Sequence, residues 1–430
     1  MPPHRPDLPT LTAVSNGEGG TTLYYFTQAF PFGFGEMWKF DELQHLAPRF
    51  ARTLVVPLSY DGNRQPCAVP FGVEFTKPIF DELPTGRGRA ALATVLRSPR
   101  RMYYLRELLR KRVWMQRPWM SSWAIAALRI EMMSTNEDVL ALFAGIGDSD
   151  VMTFFWGRGA CDLLPVLRPP ARRRVVRMHR FDLFEDENAG YIPFRSQLLD
   201  AATTVAPSSA AGRAHLSNLY PAFAGKIETI RMGSVGGVTA RTSDDGTFRV
   251  VTCSVAAPVK RLDLFVDALE HAHSRIEWTH IGDGPLFERI AARVRSLPSN
   301  VTANLVGRLG ADQVLPYYGA HPVDLFVNVS SSEGVPFSIM EALSASIPVL
   351  ATAVGGTGEI VDDAVGRLVP RDITAEQLAS ELDDVAALEG QQRATLRAAA
   401  RERWRQRCDA DQLSEAFAEF LVSQRETYAA

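Results

Sequence analysis

Short apolar runs rich in β-branched residues alternate with helical segments throughout the second half of this 430-residue chain. The apolar runs lie at 248–253, 276–281, 301–306, 323–329 and 347–353. The segments between them with apolar positions at helical spacing are 262–272, 286–294, 311–319 and 337–345. Strands that are apolar on both faces and alternate with short helices predict a parallel sheet covered by helices on both sides.

The first half of the chain shows the same alternation less regularly. It has candidate strands at 21–29, 53–57, 151–155, 174–178, 203–206 and 227–232. A stretch rich in Gly, Ser, Thr and Asp at 233–245 predicts the linker between two domains. We therefore predict an α/β protein with these parts: a flexible tail 1–20, a first domain 21–235, a second domain 246–408, and a C-terminal helix 409–430 that crosses back to the first domain.

Composition narrows the classes of partner and compartment. A formal net charge of −3 gives no overall attraction to nucleic acid, so we expect no nucleic-acid partner. The four cysteines are far apart and lack metal-ligand spacing, which favours a reducing compartment without disulfides or a zinc site. Residues 1–20 lack the apolar run of a signal peptide, and no stretch approaches the roughly 20 apolar residues of a spanning helix. We expect a cytoplasmic location.

The segment 330–341 joins a predicted strand to a predicted helix and carries Glu333 and Glu341. Ligands of open parallel sheets bind beyond the carboxyl ends of the strands, where helix N-termini suit phosphate. Carboxylates at such a place can accept hydrogen bonds from sugar hydroxyls. By spacing alone, the two glutamates would equally suit a helix-terminal charge and a solvated helix side chain. The next strand ends in Gly355-Gly356-Thr357-Gly358, where a backbone can approach a ligand closely.

Several motifs occur together around these glutamates. Glu333 and Glu341 form a glutamate–seven residues–glutamate pair, and the segments Pro258-Val259-Lys260-Arg261-Leu262 and Ile281-Gly282-Asp283-Gly284-Pro285 precede it. With these motifs the chain, from about 250 to 368, resembles the retaining glycosyltransferases of family four. The resemblance implies the GT-B fold, in which two Rossmann-like domains face each other across a cleft.

The resemblance also implies roles for individual residues. Lys260 would neutralise the diphosphate of a nucleotide-sugar donor, and Glu341 would hold its ribose hydroxyls. Gly282 and Gly284 would shape the floor near the nucleotide. Glu333 would face the transferred sugar, together with the backbone of Gly334, Val335, Pro336 and Phe337.

One feature departs from the family pattern. The family has an arginine about five residues before the lysine, whereas this chain has Cys253-Ser254-Val255-Ala256 there. Arg261 is a candidate replacement for donor binding, although adjacent residues at a helix start point in different directions.

In the first half, the turn 31–36 after the first strand contains Gly33 and Gly35. It resembles the first glycine-bearing turn of the family, which approaches the donor or the acceptor; an ordinary turn is the alternative. His179 directly follows the candidate strand 174–178, and the resemblance implies that it contacts the transferring sugar. Arg180 and Asp182 are weaker candidates, and Arg195 either faces the cleft or is a solvated charge at a helix start.

The segment 97–119 is strongly basic, with tyrosines and tryptophans interleaved among its arginines. Such a pattern suits either contact with an anionic membrane surface or a solvated basic helix. A peripheral position at the inner face of a membrane would fit a lipid-linked saccharide as acceptor.

The sequence as a whole predicts a retaining, metal-independent glycosyltransferase with no cofactor. It would use a nucleotide sugar, with UDP or GDP as the nucleotide, and a saccharide or lipid-linked saccharide acceptor in glycan biosynthesis. Two alternatives stay open: a catalytically silent homologue that binds a membrane or a partner, and a nucleotide-sugar epimerase on the same scaffold. A dinucleotide oxidoreductase is disfavoured because no Gly-x-Gly-x-x-Gly follows the first strand of either half.

Overall fold

The computed structural model describes residues 20–33, 36–84 and 89–423, and these divide into two compact units. The first unit contains the described residues up to Ser208, residues 212–230 and residues 414–423. The second unit is Arg231–Leu413 together with the short piece Ser209–Ala211. No helix within the described ranges is long and apolar enough to cross a membrane.

The first unit is built on six parallel strands in the order β3-β2-β1-β4-β5-β6. The strands are β1 (Thr22–Thr27), β2 (Arg52–Pro57), β3 (Val73–Phe75), β4 (Val151–Phe154), β5 (Arg173–Met178) and β6 (Thr204–Pro207). The helices are α1 (Lys39–Leu46), α2 (Arg89–Arg97), α3 (Arg101–Arg110), α4 (Arg117–Ser134), α5 (Glu137–Ala144), α6 (Leu164–Leu167), α7 (Arg180–Leu183), α8 (Arg195–Ala201) and α9 (Ala210–Leu219).

The second unit repeats this plan with strand order β12-β11-β10-β7-β8-β9, again all parallel. The strands are β7 (Phe248–Cys253), β8 (Ile276–Ile281), β9 (Val301–Gly307), β10 (Leu325–Asn328), β11 (Val349–Thr352) and β12 (Gly366–Val369). The helices are α10 (Leu262–His271), α11 (Phe287–Arg293), α12 (Ala311–Ala320), α13 (Phe337–Ser344), α14 (Ala375–Ala386), α15 (Gly390–Arg407) and α16 (Ala410–Val422).

The central strands of the second unit bury side chains on both faces of the sheet. Val250 of β7 packs into one hydrophobic cluster, and its neighbour Val251 packs into the cluster on the other side. Leu325 and Phe326 of β10 divide in the same way. Because successive side chains of a strand point to opposite faces, uninterrupted apolar runs are what this doubly covered sheet requires.

The structure differs from the sequence-based expectation at three places near sheet edges. The edge strands β3 and β12 have no counterpart among the predicted strands. They are short, and Glu74 and Arg367 interrupt their apolar character. The predicted strand 227–232 is wrong, since Ile227 makes only an isolated bridge to Val205.

The last helix, α16, begins in the second unit, and its residues from Ser414 onward belong to the first. There the Arg173 guanidinium lies 4.3 Å from the centre of the Phe420 ring. Arg172 donates to the Leu421 carbonyl at 3.0 Å. Phe417, Phe420 and Leu421 are buried, so α16 contributes to the core of the first unit.

Candidate active site

The strand order of the second unit reverses between β7 and β10, which lie side by side. Such a reversal opens a crevice at the carboxyl ends of the strands, where ligands of this fold class bind. Lys260 follows β7 and Glu333 follows β10, and the Lys260 Nζ donates to Glu333 Oε1 at 2.6 Å. Asn328 Nδ2 donates to the same oxygen at 3.3 Å. The structure therefore brings two predicted site residues into direct contact at the switch point.

Backbone hydrogen bonds fix the loops that carry these residues. Ser331 N donates to the Val259 carbonyl at 2.8 Å, joining the loop after β10 to the loop after β7. Gly356 N donates to the Gly334 carbonyl at 2.7 Å, joining the loop after β11 to the same segment. Three neighbouring strand ends thus form one continuous edge.

Glycines permit the close approach of these loops. Gly355 has a φ of 54°, and a Cβ there would lie 1.8 Å from the Glu333 carbonyl oxygen. Gly282, after β8, has a φ of 137°, and a Cβ there would lie 1.9 Å from the Ser254 carbonyl oxygen. Any side chain at either position would displace a loop of the site. Gly284, the other predicted glycine, lies in the same turn.

Glu341 lies on α13, near the carboxyl end of β7. Burial raises the pKa of its carboxyl to about 7. Burial, followed by the Glu341 charge, raises the pKa of the Cys253 thiol to about 12. In the part of the chain that the structure describes, the Glu341 carboxylate has no hydrogen-bond partner. Its oxygens are therefore partly buried and free to accept hydrogen bonds, which is the property needed to bind hydroxyl groups.

The Arg261 guanidinium is engaged by backbone carbonyl groups. The Arg261 Nε donates to the Val329 carbonyl at 2.6 Å, and Nη1 donates to the Arg371 carbonyl at 2.7 Å. Its backbone adopts a φ of 49° at the start of α10. The guanidinium thus ties together loops that flank the Lys260–Glu333 pair. Within the described ranges, no group of three or more His, Cys, Asp or Glu side chains is placed to hold a metal ion.

The segment 334–337 leads from the strand end into α13. Pro336 is extended, and the helix begins at Phe337. The N-terminus of α13 therefore lies directly after Glu333, and its N–H groups give this edge positive character. Val335, between them, is half-buried.

In the first unit, the predicted glycine turn follows β1. A Cβ at Gly33 would lie 2.8 Å from the Asp61 Cβ, so the turn packs closely against a neighbouring loop. Gly35 lies outside the described residues. Glu36, which ends the motif, is buried and accepts hydrogen bonds from Ala29 N at 2.8 Å, Phe30 N at 2.9 Å and Trp156 Nε1 at 2.7 Å.

A buried ion pair lies behind this turn. Lys39 is fully buried, donates to Glu36, and lies 3.7 Å from the centre of the Phe155 ring. Burial lowers the pKa of Lys39 to about 8. Burial alone would raise the pKa of Glu36, but the Lys39 charge and four hydrogen bonds hold it at about 2.

His179 follows β5 and belongs to the same cluster. Its ring stacks on Phe155 with centroids 4.7 Å apart, and its Nε2 lies 3.0 Å from the Phe155 carbonyl oxygen. Burial, followed by the charges of Arg177 and Lys39, lowers the pKa of His179 to about 3. The imidazole is therefore neutral at physiological pH.

The weaker candidates near His179 are engaged within the first unit. The Arg195 side chain is buried and donates to the Asp182 carbonyl and, at 3.4 Å, to the Gly157 carbonyl. The Asp182 carboxylate accepts from His179 N at 2.5 Å and from Gly157 N. Arg180 pairs with Glu187.

Sequence reasoning missed three residues that the structure places at these strand ends: Asn328, Lys39 and Trp156. Asn328 is a polar side chain at the end of an otherwise apolar strand, which was a usable signal. Trp156 gave no such signal, because its partner Glu36 lies 120 positions away in the sequence. Lys39 is only three residues from Glu36, but that spacing alone did not indicate that the pair is buried.

Residues 240–403 match the family model of glycosyl transferases, group 1. This range contains every predicted site residue of the second unit. An uncharacterized glycosyltransferase of Methanocaldococcus jannaschii is 34% identical over 113 residues, which is 26% of this chain and 30% of that protein. The chain spans less than a third of the length of the curated relatives it matches.

Solved structures extend the similarity to both units. Sucrose-phosphate synthase from Thermosynechococcus elongatus aligns with a TM-score of 0.67 over 93% of this chain and 98% of that one, at 16% identity. HepE from Anabaena, solved with UDP and glucose, aligns with a TM-score of 0.60 over 93% of this chain and 99% of that one, at 18% identity. The two six-stranded sheets and this likeness confirm the predicted fold class, GT-B with two Rossmann-like domains.

Proposed function

We propose that this protein is a glycosyltransferase that takes a sugar from a nucleotide-sugar donor bound by the second unit. The observation that carries the proposal is the Lys260–Glu333 contact at the β7–β10 switch point, within the range that matches group 1 glycosyl transferases. A cation, two carboxylates and a helix N-terminus at one sheet edge suit a ligand that has both a diphosphate and hydroxyl groups.

The proposed reaction proceeds with retention of configuration and without a metal ion. The bond between the anomeric carbon and the donor diphosphate breaks, and a bond forms between that carbon and the acceptor hydroxyl oxygen. The acceptor proton passes to the departing phosphate. Lys260 and the N-terminus of α13 stabilise the negative charge that develops on the diphosphate, as preorganised charges do in other transfer reactions.

The remaining roles are assigned by the chemistry of each group. Glu341 accepts hydrogen bonds from the donor ribose, because its carboxylate is partly buried and open. Glu333 orients Lys260 and faces the transferred sugar. The neutral His179 contacts the transferring sugar through its ring or its carbonyl oxygen. The nucleotide is UDP or GDP, and the acceptor is a saccharide or a lipid-linked saccharide used in glycan biosynthesis; HepE, a protein with the same fold, was solved with UDP and glucose.

Contact with the inner face of a membrane through residues 97–119 is part of the proposal. Of the interleaved aromatics, Tyr104 is buried, Tyr103 stacks on Phe194, and Trp119 stacks on Tyr191. The exposed apolar side chains of the segment are Met102, Leu109, Trp114 and Met115. These residues, interspersed with arginines, have the composition of an interfacial surface.

The substitution Lys260→Ala tests the proposal. Turnover of a nucleotide sugar found by a thermal-shift screen should fall at least tenfold, with an unchanged thermal midpoint in the absence of ligand. Lys77→Ala, which removes an exposed lysine of the first unit, is the control and should leave turnover within twofold. Addition of EDTA should not lower the wild-type rate, and the product should keep the anomeric configuration of the donor.

Other outcomes would select the alternatives. Stabilisation by a nucleotide sugar without any transfer or hydrolysis would favour a catalytically silent homologue. An epimerised donor in the absence of acceptor would favour an epimerase. Full turnover by Lys260→Ala would contradict the assigned role of the lysine.

A further inference from the structure

A cavity of about 1050 Å³ lies within the first unit, lined by α3, α6, α8 and the segment 219–223. It lies away from the edge that carries His179. Arg174, near the start of β5, and Ala201, which ends α8 shortly before β6, both line it. Since β5 and β6 are parallel, the cavity lies toward their amino ends, whereas His179 follows the carboxyl end of β5. The cavity is therefore separate from the candidate active-site residues of this unit.

The lining of the cavity is strongly basic. Arg106 and Arg110 contribute from α3, Arg168 from the end of α6 and Arg174 from β5, whereas Asp200 is the one acidic side chain of the lining. Within the described ranges, Arg106 and Arg110 have no ion-pair or hydrogen-bond partner. A pair of guanidinium groups one helical turn apart is suited to a phosphate, because each presents several donors in a fixed plane.

Two buried polar atoms at the cavity lack hydrogen-bond partners within the part of the chain described. They are Tyr103 Oη and Gln197 Oε1. The orientation of the Gln197 amide is fixed, because its Nε2 donates to Glu107 Oε2 at 2.9 Å. The free oxygen of Gln197 can only accept a hydrogen bond, and such buried groups are normally satisfied. The oxygen is shielded from solvent in this structure, so a ligand hydroxyl would supply the missing donor after a small movement of the side chain.

We propose that this cavity binds a phosphate ester that carries free hydroxyl groups. Arg106 and Arg110 hold the phosphate, and Tyr103 and Gln197 hydrogen-bond to the hydroxyls. Tyr220 and Phe223 provide the apolar wall that ligand pockets of this size require. The same chemistry occurs in the polyol headgroup of an anionic phospholipid and in a soluble sugar phosphate. This inference goes beyond the proposed transfer reaction and does not depend on it.

The test measures binding directly, in the full-length protein with Lys260→Ala so that the candidate diphosphate site does not contribute. The soluble probe is glycerophosphoglycerol, followed by ligand-observed NMR, and the membrane probe is a vesicle of equal parts phosphatidylcholine and phosphatidylglycerol. The pocket variant is Arg106→Ala/Arg110→Ala. The matched control is Arg101→Ala/Arg117→Ala, which removes two exposed arginines of the same basic segment that do not line the cavity.

The pocket variant should weaken binding of the soluble probe at least tenfold, and the control should change it less than twofold. On vesicles both variants should lose affinity, because all four arginines lie in the segment proposed to contact the membrane, and the pocket variant should lose more. Tyr103→Phe, which removes a hydroxyl that has no protein partner, should weaken binding about threefold without lowering the thermal midpoint. Pocket-dependent binding of vesicles alone identifies the membrane as the source; pocket-dependent binding of the soluble probe identifies a free phosphate ester. Equal losses in both double variants, or binding of neither probe, would overturn the proposal.

Discussion

The two sheets of this protein have the same topology, but their carboxyl edges differ in how their polar groups are used. In the first unit, Lys39 is fully buried and Glu36 accepts four hydrogen bonds from protein groups. In the second unit, the Lys260 side chain is 21% exposed, and the Glu341 carboxylate has no hydrogen-bond partner within the described ranges. The Glu36 carboxylate of the first edge is engaged by protein groups, whereas the Glu341 carboxylate of the second edge can accept hydrogen bonds from a ligand.

This difference indicates that the edge of the first unit supports the fold, whereas the edge of the second unit binds the ligand. A buried hydrogen-bonded network rigidifies its surroundings, and here it surrounds the His179 ring. An edge shaped by glycines, with an ion pair that still reaches solvent, can change partners when a ligand arrives. The sequence motifs of the two edges look equally rich in charge, so charge alone does not distinguish a scaffold from a binding site. Three experiments test the distinction.

The largest expected effect is on stability, from Glu36→Gln. This change leaves Lys39 buried without its ion-pair partner, and we expect the unfolding free energy of the first unit to fall by about 3–5 kcal/mol. Glu74→Gln, which breaks the exposed pair with Arg52, is the control and should cost about 0–1 kcal/mol. Chemical denaturation measures both.

The pH dependence of that variant sharpens the comparison. Without Glu36, the folded-state pKa of Lys39 should lie below its present value of about 8, which is already below that of the unfolded chain. The unfolded state then binds more protons than the folded state, so the stability of Glu36→Gln should increase as pH rises from 7 toward 10. If the unfolding free energy of Glu36→Gln falls no more than that of Glu74→Gln at every pH, the buried Glu36–Lys39 network does not support the fold.

The second effect is on catalysis, from Gly355→Ala. The new Cβ would lie 1.8 Å from the Glu333 carbonyl oxygen, so the loop after β10 must move by more than an ångström. A displacement of that size can reduce turnover about 10²-fold. Gly390→Ala is the control, because that glycine has no atom within 4 Å of an added Cβ. Unchanged turnover in Gly355→Ala would show that residues 333–334 do not contribute to the active site.

The smallest effect is the pH dependence of donor binding. The raised pKa of Glu341, about 7, means that the carboxyl is mostly protonated at pH 6 and mostly ionised at pH 8. The ionised form is the better acceptor for ribose hydroxyls, so the affinity for a nucleotide sugar should rise with pH by up to roughly tenfold over this range. Titration calorimetry with wild type and Glu341→Gln checks this, because the variant should show a flat profile. A rise of equal size in the variant would assign the effect to another group.

The sequence predicted the central strands of the second unit because those features are local. The strands β7 and β8 match their predicted bounds residue for residue, since each is a short run rich in apolar and β-branched residues, even though Arg249, Glu277 and His280 interrupt the apolar pattern. Lys260 and Glu333 were predicted together from motifs that follow adjacent strands.

What the sequence did not reveal depends on pairings between distant elements. The Glu36–Trp156 hydrogen bond joins residues 120 positions apart, and no periodicity reports it. The edge strands β3 and β12 are too short for a pattern to develop. The sequence also did not predict that Arg261 donates hydrogen bonds to backbone carbonyls. A charged side chain that follows a strand suggests a ligand contact, and its carbonyl partners lie far away in the sequence.

The route of the last helix has a consequence for dissecting the molecule. Because α16 leaves the second unit and contributes Phe417 and Phe420 to the first, no single cut in the chain separates two self-contained folding units. A fragment that stops at residue 230 would expose the surface of β5 that Arg173 and Arg177 share with those rings. A fragment that holds only the first half of the sequence would therefore lack part of the core of the first unit. A large insertion within α16 would disturb that same core, although α16 lies at the other end of the sequence.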